Sequence, residues 1–344
     1  MLSERPGLQR VEVDLGTGPE RAYVLDRLTG PVAPGDDVVV NTTAVELGLG
    51  TGGWHVVHWN LARSEWSEKG PGHIIKARYT SLQTDVGSAE EHFDPELADV
   101  ESIDGMPVVA AALHSQVPAV AVAFKDLRPD ARLAYVMTDG AALPLALSDL
   151  VAELSDRNLI DATITCGHAF GGDFEAVSVY SALAVARHVI GAEAVVIAMG
   201  PGIVGTGTRL GFSGIEVGPA LDAAAGLQGD PIVCLRVSFA DERPRHQGVS
   251  HHTLTTLRLA CRSRVTIPVP RVGGEQEARI RVDLEGAGLT ARHDIVDVDA
   301  PDILAAFAAH DLRISSMGRP ADEDPVLFEA AAAAGALAAA RSLH

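Results

Sequence analysis

From Pro107 onward the chain alternates short, unbroken apolar runs with helical stretches, and few folds tolerate that rhythm. Strand-like runs fall at Val108–Leu113, Leu133–Met137, Ala162–Cys166, Ala194–Met199 and Ile232–Val237, followed by Val265–Val269, Ile295–Val298 and Leu312–Ser315. Between them, Leu147, Leu150, Val151 and Leu154 make one helix face, with Pro144 in its first turn. Leu254, Leu257 and Cys261 make another, and Glu175–Ile190 is apolar on two faces. Strand-then-helix alternation implies parallel strands joined by crossover helices. Runs without polar alternation imply a sheet covered on both sides. The expected fold is α/β: a mostly parallel, doubly wound, Rossmann-like sheet. Eight strand–helix units also suit a closed eight-stranded β/α barrel, which stands as the alternative.

The front reads differently. Val11–Leu15, Val38–Val40, Trp54–Trp59 and His73–Tyr79 are strand-like, and Pro34-Gly35-Asp36 is turn chemistry. Residues 1–93 therefore form a small β-rich domain, barrel-like or a curled sheet, 94–106 a linker or linker helix, and 107–344 the α/β domain. A length of 344 residues suits two domains or one large one.

Charge and cysteine content narrow the partners. With 27 Lys and Arg against 46 Asp and Glu, the net charge of −19 argues against nucleic-acid polymers and anionic membranes. Cys166, Cys234 and Cys261 form no C-x-x-C pair, which fits a reducing compartment. The start, MLSERPGLQR, lacks the order of a signal peptide, and the Ala-rich tail Ala330–Ala340 is too short for a bilayer. A cytoplasmic protein is expected.

In either architecture ligands bind where the strands end. The loop after the fourth strand, Gly200 to Gly214, is the strongest feature there. Gly200, Gly202, Gly205 and Gly207 permit close backbone approach, Thr206, Thr208 and Ser213 add hydroxyls, and Arg209 adds a bidentate cation for an anionic ligand. A helix beginning near Gly214 would add its positive end. The literal G-x-G-x-x-G of Gly200–Gly205 is discounted as a dinucleotide fingerprint, because it follows a late strand and carries Pro201. The competing reading is a turn serving packing or a subunit contact. The next loop concentrates Arg243, Arg245 and His246 before a helix capped by Ser250, although Asp241 and Glu242 could neutralise those arginines. His114, after the first strand, joins the substrate-binding set.

For proton transfer the candidates are His168, Asp139, Asp173, His246 and His251, polar groups at adjacent strand ends. Asp173 could instead cap a helix, and Asp139-Gly140 could be a plain turn. Cys166 reads as a buried thiol more readily than as a nucleophile. No metal ligands are assigned: neighbours on a helix point about 100° apart, so His251 and His252 seldom chelate one ion together, a metal would need one of them with His246, Asp241 or a residue from another loop, and no H-E-x-x-H spacing occurs. His55 and His58 fall on opposite faces of a strand, and His188 lies on an apolar helix. The patch Asn41–Trp54, with Gly48, Gly50, Gly52 and Gly53, reads as a hairpin connection or as a close approach to ligand or body, with Lys76, Arg78 and Tyr79 contributing to an interdomain cleft.

Several of these runs resemble one family. Asn41-Thr-Thr-Ala-Val with Gly48–Gly53, Tyr135–Gly140, Thr165–Asp173, Gly200-Pro-Gly with Gly205-Thr-Gly-Thr, and Arg245-His with Gly248–His252 are similar to the bacterial domain-of-unknown-function family 3866. The resemblance spans nearly the whole chain. It implies that front and body act as one unit, and it brings no activity, cofactor or catalytic residue.

These readings converge on a cytoplasmic enzyme, a hydrolase or transferase, acting on a small anionic substrate that is phosphorylated or nucleotide-like. No cofactor is identified. The alternatives are a non-catalytic metabolite sensor and a structural protein whose Ala-rich C-terminal helix packs on a second subunit in a homo-oligomer. That helix could equally cover its own sheet.

Overall fold

The computed structural model describes residues 1–16 and 18–342. In the front, β1 (Ser3–Arg5), β2 (Leu8–Asp14), β3 (Pro19–Val24), β4 (Val38–Asn41) and β5 (Trp54–Asn60) form a sheet in the order β1-β2-β3-β5-β4. Val11, Val13, Ala22, Val24 and Val57 fill its buried face. β1 and β4 remain the edges, so the front is an open sheet, in keeping with the curled-sheet reading, and does not close into a barrel. The strand expected at His73–Tyr79 shrinks to β6 (Ile75–Lys76), paired with β7 (Thr84–Asp85). Ala77 and Tyr79 adopt positive φ (50° and 62°), which breaks an extended strand.

The body carries β8 (Pro107–Ala111), β9 (Leu133–Thr138), β10 (Ala162–Thr165), β11 (Phe174–Glu175), β12 (Ala194–Met199), β13 (Asp230–Cys234), β14 (Val237–Ser238), β15 (Gly248–Val249), β16 (Thr266–Pro270) and β17 (Asp294–Val298). Eight of these form one parallel sheet in the order β11-β10-β9-β12-β8-β13-β16-β17. The doubly wound sheet is therefore the fold. The barrel alternative fails because β12 inserts between β9 and β8, and β11 and β17 are left as open edges. Leu312–Ser315 is not the eighth strand: Leu312 and Ile314 point into the core, and only Ser315–Ser316 pairs, with Arg319–Pro320. Phe174–Glu175 takes that place at the opposite edge.

Alternate residues of the strands feed opposite layers. Val109, Ala111, Tyr135, Met137, Val196, Ala198 and Cys234 pack under helices Val117–Leu127, Ile303–Ala309 and Pro325–Arg341. Val108, Val136, Val195 and Ile197 pack under Val179–Ala184 and Val217–Gly226, while Ala110, Val233 and Ile267 meet Leu257 and the helix Gly274–Gly286. The helix with Leu150, Val151 and Leu154 begins later than Pro144. It runs Asp149–Asp156 under a Ser148 cap, because Leu145 first bonds to Phe170 O.

The Ala-rich tail covers its own sheet. Ala330 to Ala334 are fully buried against the body, so the proposed intersubunit face is used within the chain. Small residues let this helix lie close on Val117–Leu127, closest at Gly335, where a Cβ would collide with the carbonyl of Val120. No described helix is long and apolar enough to cross a membrane.

Front and body are joined by a buried ion pair. Lys76, 0% exposed, donates to Glu175 Oε2 (2.7 Å), Thr165 O (3.0 Å) and Ala169 O (2.5 Å). Glu175 also accepts from Thr165 Oγ1 (2.6 Å) and Gly171 N–H (2.7 Å), so both carboxylate oxygens and all three ammonium protons are engaged.

Two stability outcomes follow from these contacts. Alanine is the better helix former by about 1 kcal/mol, yet Gly335→Ala is expected to destabilise by about 1–3 kcal/mol through overpacking, read from urea unfolding. Lys76→Met strands a buried carboxylate and is expected to cost about 3–5 kcal/mol, with most of the loss recovered on adding Glu175→Gln.

Candidate functional site

At the carboxyl edge of the sheet two polar groups assemble, one over β9, β10 and β12 and one beyond β13. The first is built on Asp139, directly after β9. Asp139 Oδ2 accepts the His168 N–H (2.9 Å), and position 167 needs glycine because any Cβ would strike that carboxylate. The His168 ring is held by the front, its Nδ1 accepting the Ala77 N–H (3.1 Å) while Arg78 Nη2 lies 3.2 Å from Nε2. Glu216, on the turn Ser213–Glu216, leans over Gly140 and accepts the Thr138 hydroxyl. Burial, and secondarily the charge of Asp139, push the Glu216 carboxyl up to about 7. No cation pairs with it among the described residues. Burial also pushes the neighbouring Cys166 thiol up to about 12, so it stays protonated and bonds to Met137 O (3.6 Å).

Three expected residues lie apart from these groups in role or position. Asp173 neither caps a helix nor faces the pocket. Its Oδ2 accepts from Thr163 N–H (2.9 Å) and Thr163 Oγ1 (2.8 Å), and the following helix is capped by Ser178. His114 donates from Nδ1 to Met199 O (3.1 Å) and takes the Ser148 hydroxyl at Nε2 (2.7 Å), so both nitrogens serve the scaffold. Its burial lowers the pKa to about 4, which keeps it neutral. Arg243 is bound by Asp241 in a fork of 2.9 and 2.7 Å. That pairing holds Asp241 far below the usual carboxylate range.

The second group contains what the sequence did not single out, Arg236. It follows β13, is 4% exposed, and has no carboxylate within ion-pair distance among the described residues. Its Nη1 donates to His252 Nδ1 (3.3 Å). Around it stand His246, from the turn Pro244–His246, and His251 and His252, from the first turn of the helix His251–Thr255. Ring centroids are 4.3 to 5.0 Å apart, and one nitrogen of each ring lies within 4.8 Å of the others. Ser250 Oγ both caps the turn and holds His246 Nδ1 (2.7 Å), which brings His246 up against the two histidines of the first helical turn. Burial, then the field of Arg236, lowers His246 and His252 to about 3. His251 moves the same way through burial and Arg245. All three imidazoles are neutral near pH 7.

The glycine-rich loop lies over this group. Gly205 sits against the His252 ring, and Phe212 stacks on it with centroids 3.9 Å apart and planes at 2°. Thr206 and Thr208 spend their hydroxyls on each other (2.8 Å) and on Gly211, so they stiffen the loop. Gly200 backs onto Ala142 O, whereas Gly202 and Gly207 are open, and Arg209 lines an exposed groove with His251 and Arg258. Arg245 is exposed beside it. His251, His246, Gly205, Arg209 and Arg245 are thus brought to one place, and Asp139 with His168 to another.

The Glu216 geometry has a measurable sign. A carboxyl raised from 4.5 to about 7 stabilises the folded state fully below pH 4.5 and loses that contribution as pH climbs to about 7. Glu216→Gln, which mimics the protonated form and keeps the Thr138 contact, is expected to remove this loss. Its Tm advantage over the parent should grow from pH 4.5 upward and level off above about pH 7, as followed by circular dichroism.

Comparison with known proteins gives one match. The family model described as "Protein of unknown function (DUF3866)" covers residues 21–335, from β3 of the front sheet into the C-terminal helix. No curated protein and no solved structure matches the chain. With front and body spanned by a single model, the chain belongs to the DUF3866 family.

Proposed function

We propose that this protein binds a small anion, phosphate- or carboxylate-bearing, beneath the loop Gly200–Gly214, and acts on it as a hydrolase or transferase. The observation that carries the reading is Arg236. A buried guanidinium without a carboxylate partner is costly, because its desolvation is repaid only by an opposite charge. Its pKa falls only to about 10, through burial and the repulsion of Arg243, Arg319 and Arg245, so it stays charged at neutral pH. Asp241 is engaged by Arg243, and Asp324 by Ser238 and Arg319, which leaves Arg236 open to an anionic ligand.

The strand order favours the same spot. β8 sends its crossover toward β9 and its neighbour β13 sends its own toward β16, so the connections part at the β8/β13 seam, the usual place for a ligand in such sheets. Exposed Arg209 and Arg245 add long-range attraction for an anion in a chain of net charge −19. His246, His251 and His252 stand beside Arg236 and add polar ring nitrogens at the same spot. Three free, buried cysteines suit a cytoplasmic setting.

The test is thermal unfolding of the whole chain with inorganic phosphate, pyrophosphate, nucleotides and sugar phosphates, against chloride at matched ionic strength. A ligand at a hundred times its Kd adds about 2.7 kcal/mol. Arg236→Met is expected to raise the ligand-free Tm, by removing an uncompensated charge, and to abolish the anion-induced shift. Arg243→Gln should leave that shift in place. An unresponsive parent protein, or an undiminished shift in Arg236→Met, overturns the reading.

A further inference from the structure

We propose that His246, His251 and His252 together hold one transition-metal ion of the Zn2+ class. Three imidazole nitrogens drawn from two separate elements lie within 4.8 Å of one another. Tetrahedral ligation at about 2.0–2.1 Å requires nitrogens about 3.4 Å apart, so side-chain adjustments of about an ångström complete the set. One ring is already oriented: Ser250 Oγ accepts the Nδ1–H of His246, which leaves the Nε2 lone pair of that ring free, as outer partners do in histidine metal sites. Arg236 donates to Nδ1 of His252, so ligation by His252 requires that guanidinium to move off the ring. His251 Nε2 is buried and has no hydrogen-bond partner, a cost that a bound ion would cancel.

The donor set selects the ion. Imidazole suits Zn2+, Cu2+, Ni2+ and Co2+, and three such ligands without a carboxylate are a poor match for Mg2+ or Ca2+. Arg236 and Arg245 oppose a dication, and Asp241, whose charge acts on His246, offsets part of that. With three protein ligands the fourth position stays open, as in catalytic zinc sites, and an anion seated there would touch both the ion and Arg236. The ion's binding itself does not depend on the anion reading.

The experiment uses tag-free, full-length protein stripped with a chelator and titrated with Co2+ and then Zn2+ in a buffer without phosphate. The expected result is one equivalent of Co2+ with the visible absorption of tetrahedral coordination, displaced by Zn2+. His246→Gln and His251→Ala should each weaken Zn2+ affinity by more than the tenfold to hundredfold typical of losing an outer partner. His73→Gln, at an exposed histidine of the front, should leave it unchanged. His251 is only partly buried, so its variant folds and keeps the comparison valid, as circular dichroism would verify. Absence of stoichiometric binding, or equal affinity in the parent and His251→Ala, overturns the proposal. Because the anion-induced Tm shift is measured separately in chelator, failure of one reading leaves the other standing.

Discussion

All strands of a parallel sheet leave by the same edge, and this protein's candidate site depends on that constraint. With β8 at the centre, β12 on one side and β13 on the other, the loops bearing His114, the glycines and Arg236 must emerge side by side. Residues more than a hundred positions apart thereby share one surface. Gln116 closes the seam between the two central exits, donating to Leu235 O (2.8 Å) while accepting the Leu113 N–H. Every other interaction at this edge, from the Phe212–His252 stack to the Asp241–Arg243 fork, presupposes that arrangement.

The edge handles charge unevenly. Asp241 is matched with Arg243 and Asp324 with Arg319. Lys76 and Glu175 are matched even when fully enclosed, at the junction of front and body. Against this background Arg236 and Glu216 stand out, a buried cation and a half-buried carboxyl, neither with an opposite charge at ion-pair distance among the described residues. Proteins carry such groups at a stability cost, and functional sites are where that cost is commonly retained.

The local patterning of the chain made most of the body legible. Continuous apolar runs marked β8, β9, β10, β12, β13 and β16, because a strand buried on both faces has no polar alternation to hide it, and the edge strand β17 showed through Ile295, Val296 and Val298. Leu312–Ser315 misled for the same reason: two buried side chains look alike whether or not their backbone joins a ladder. The strand expected at His73–Tyr79 stopped short because non-glycine residues at positive φ leave no mark in composition. Of the site, the glycine-rich loop and the Arg243–His252 segment were visible through residue type. Arg236 and Glu216 were not, since a lone charge among apolar residues says nothing about whether it will meet a partner.

What the sequence determined by itself was local: strand and helix periodicity, turn chemistry, the sign of the overall charge, and the loops rich in glycine, arginine and histidine. Short-range sterics and hydrophobic burial act between near neighbours, so they can be read along the chain. Only the tertiary structure decided that the sheet stays open, that the Ala-rich helix covers its own strands, that Asp241 consumes Arg243, and that three histidines converge beside an unpaired arginine. Those outcomes turn on strand order and on which charges meet in space, and a linear spacing carries no record of either.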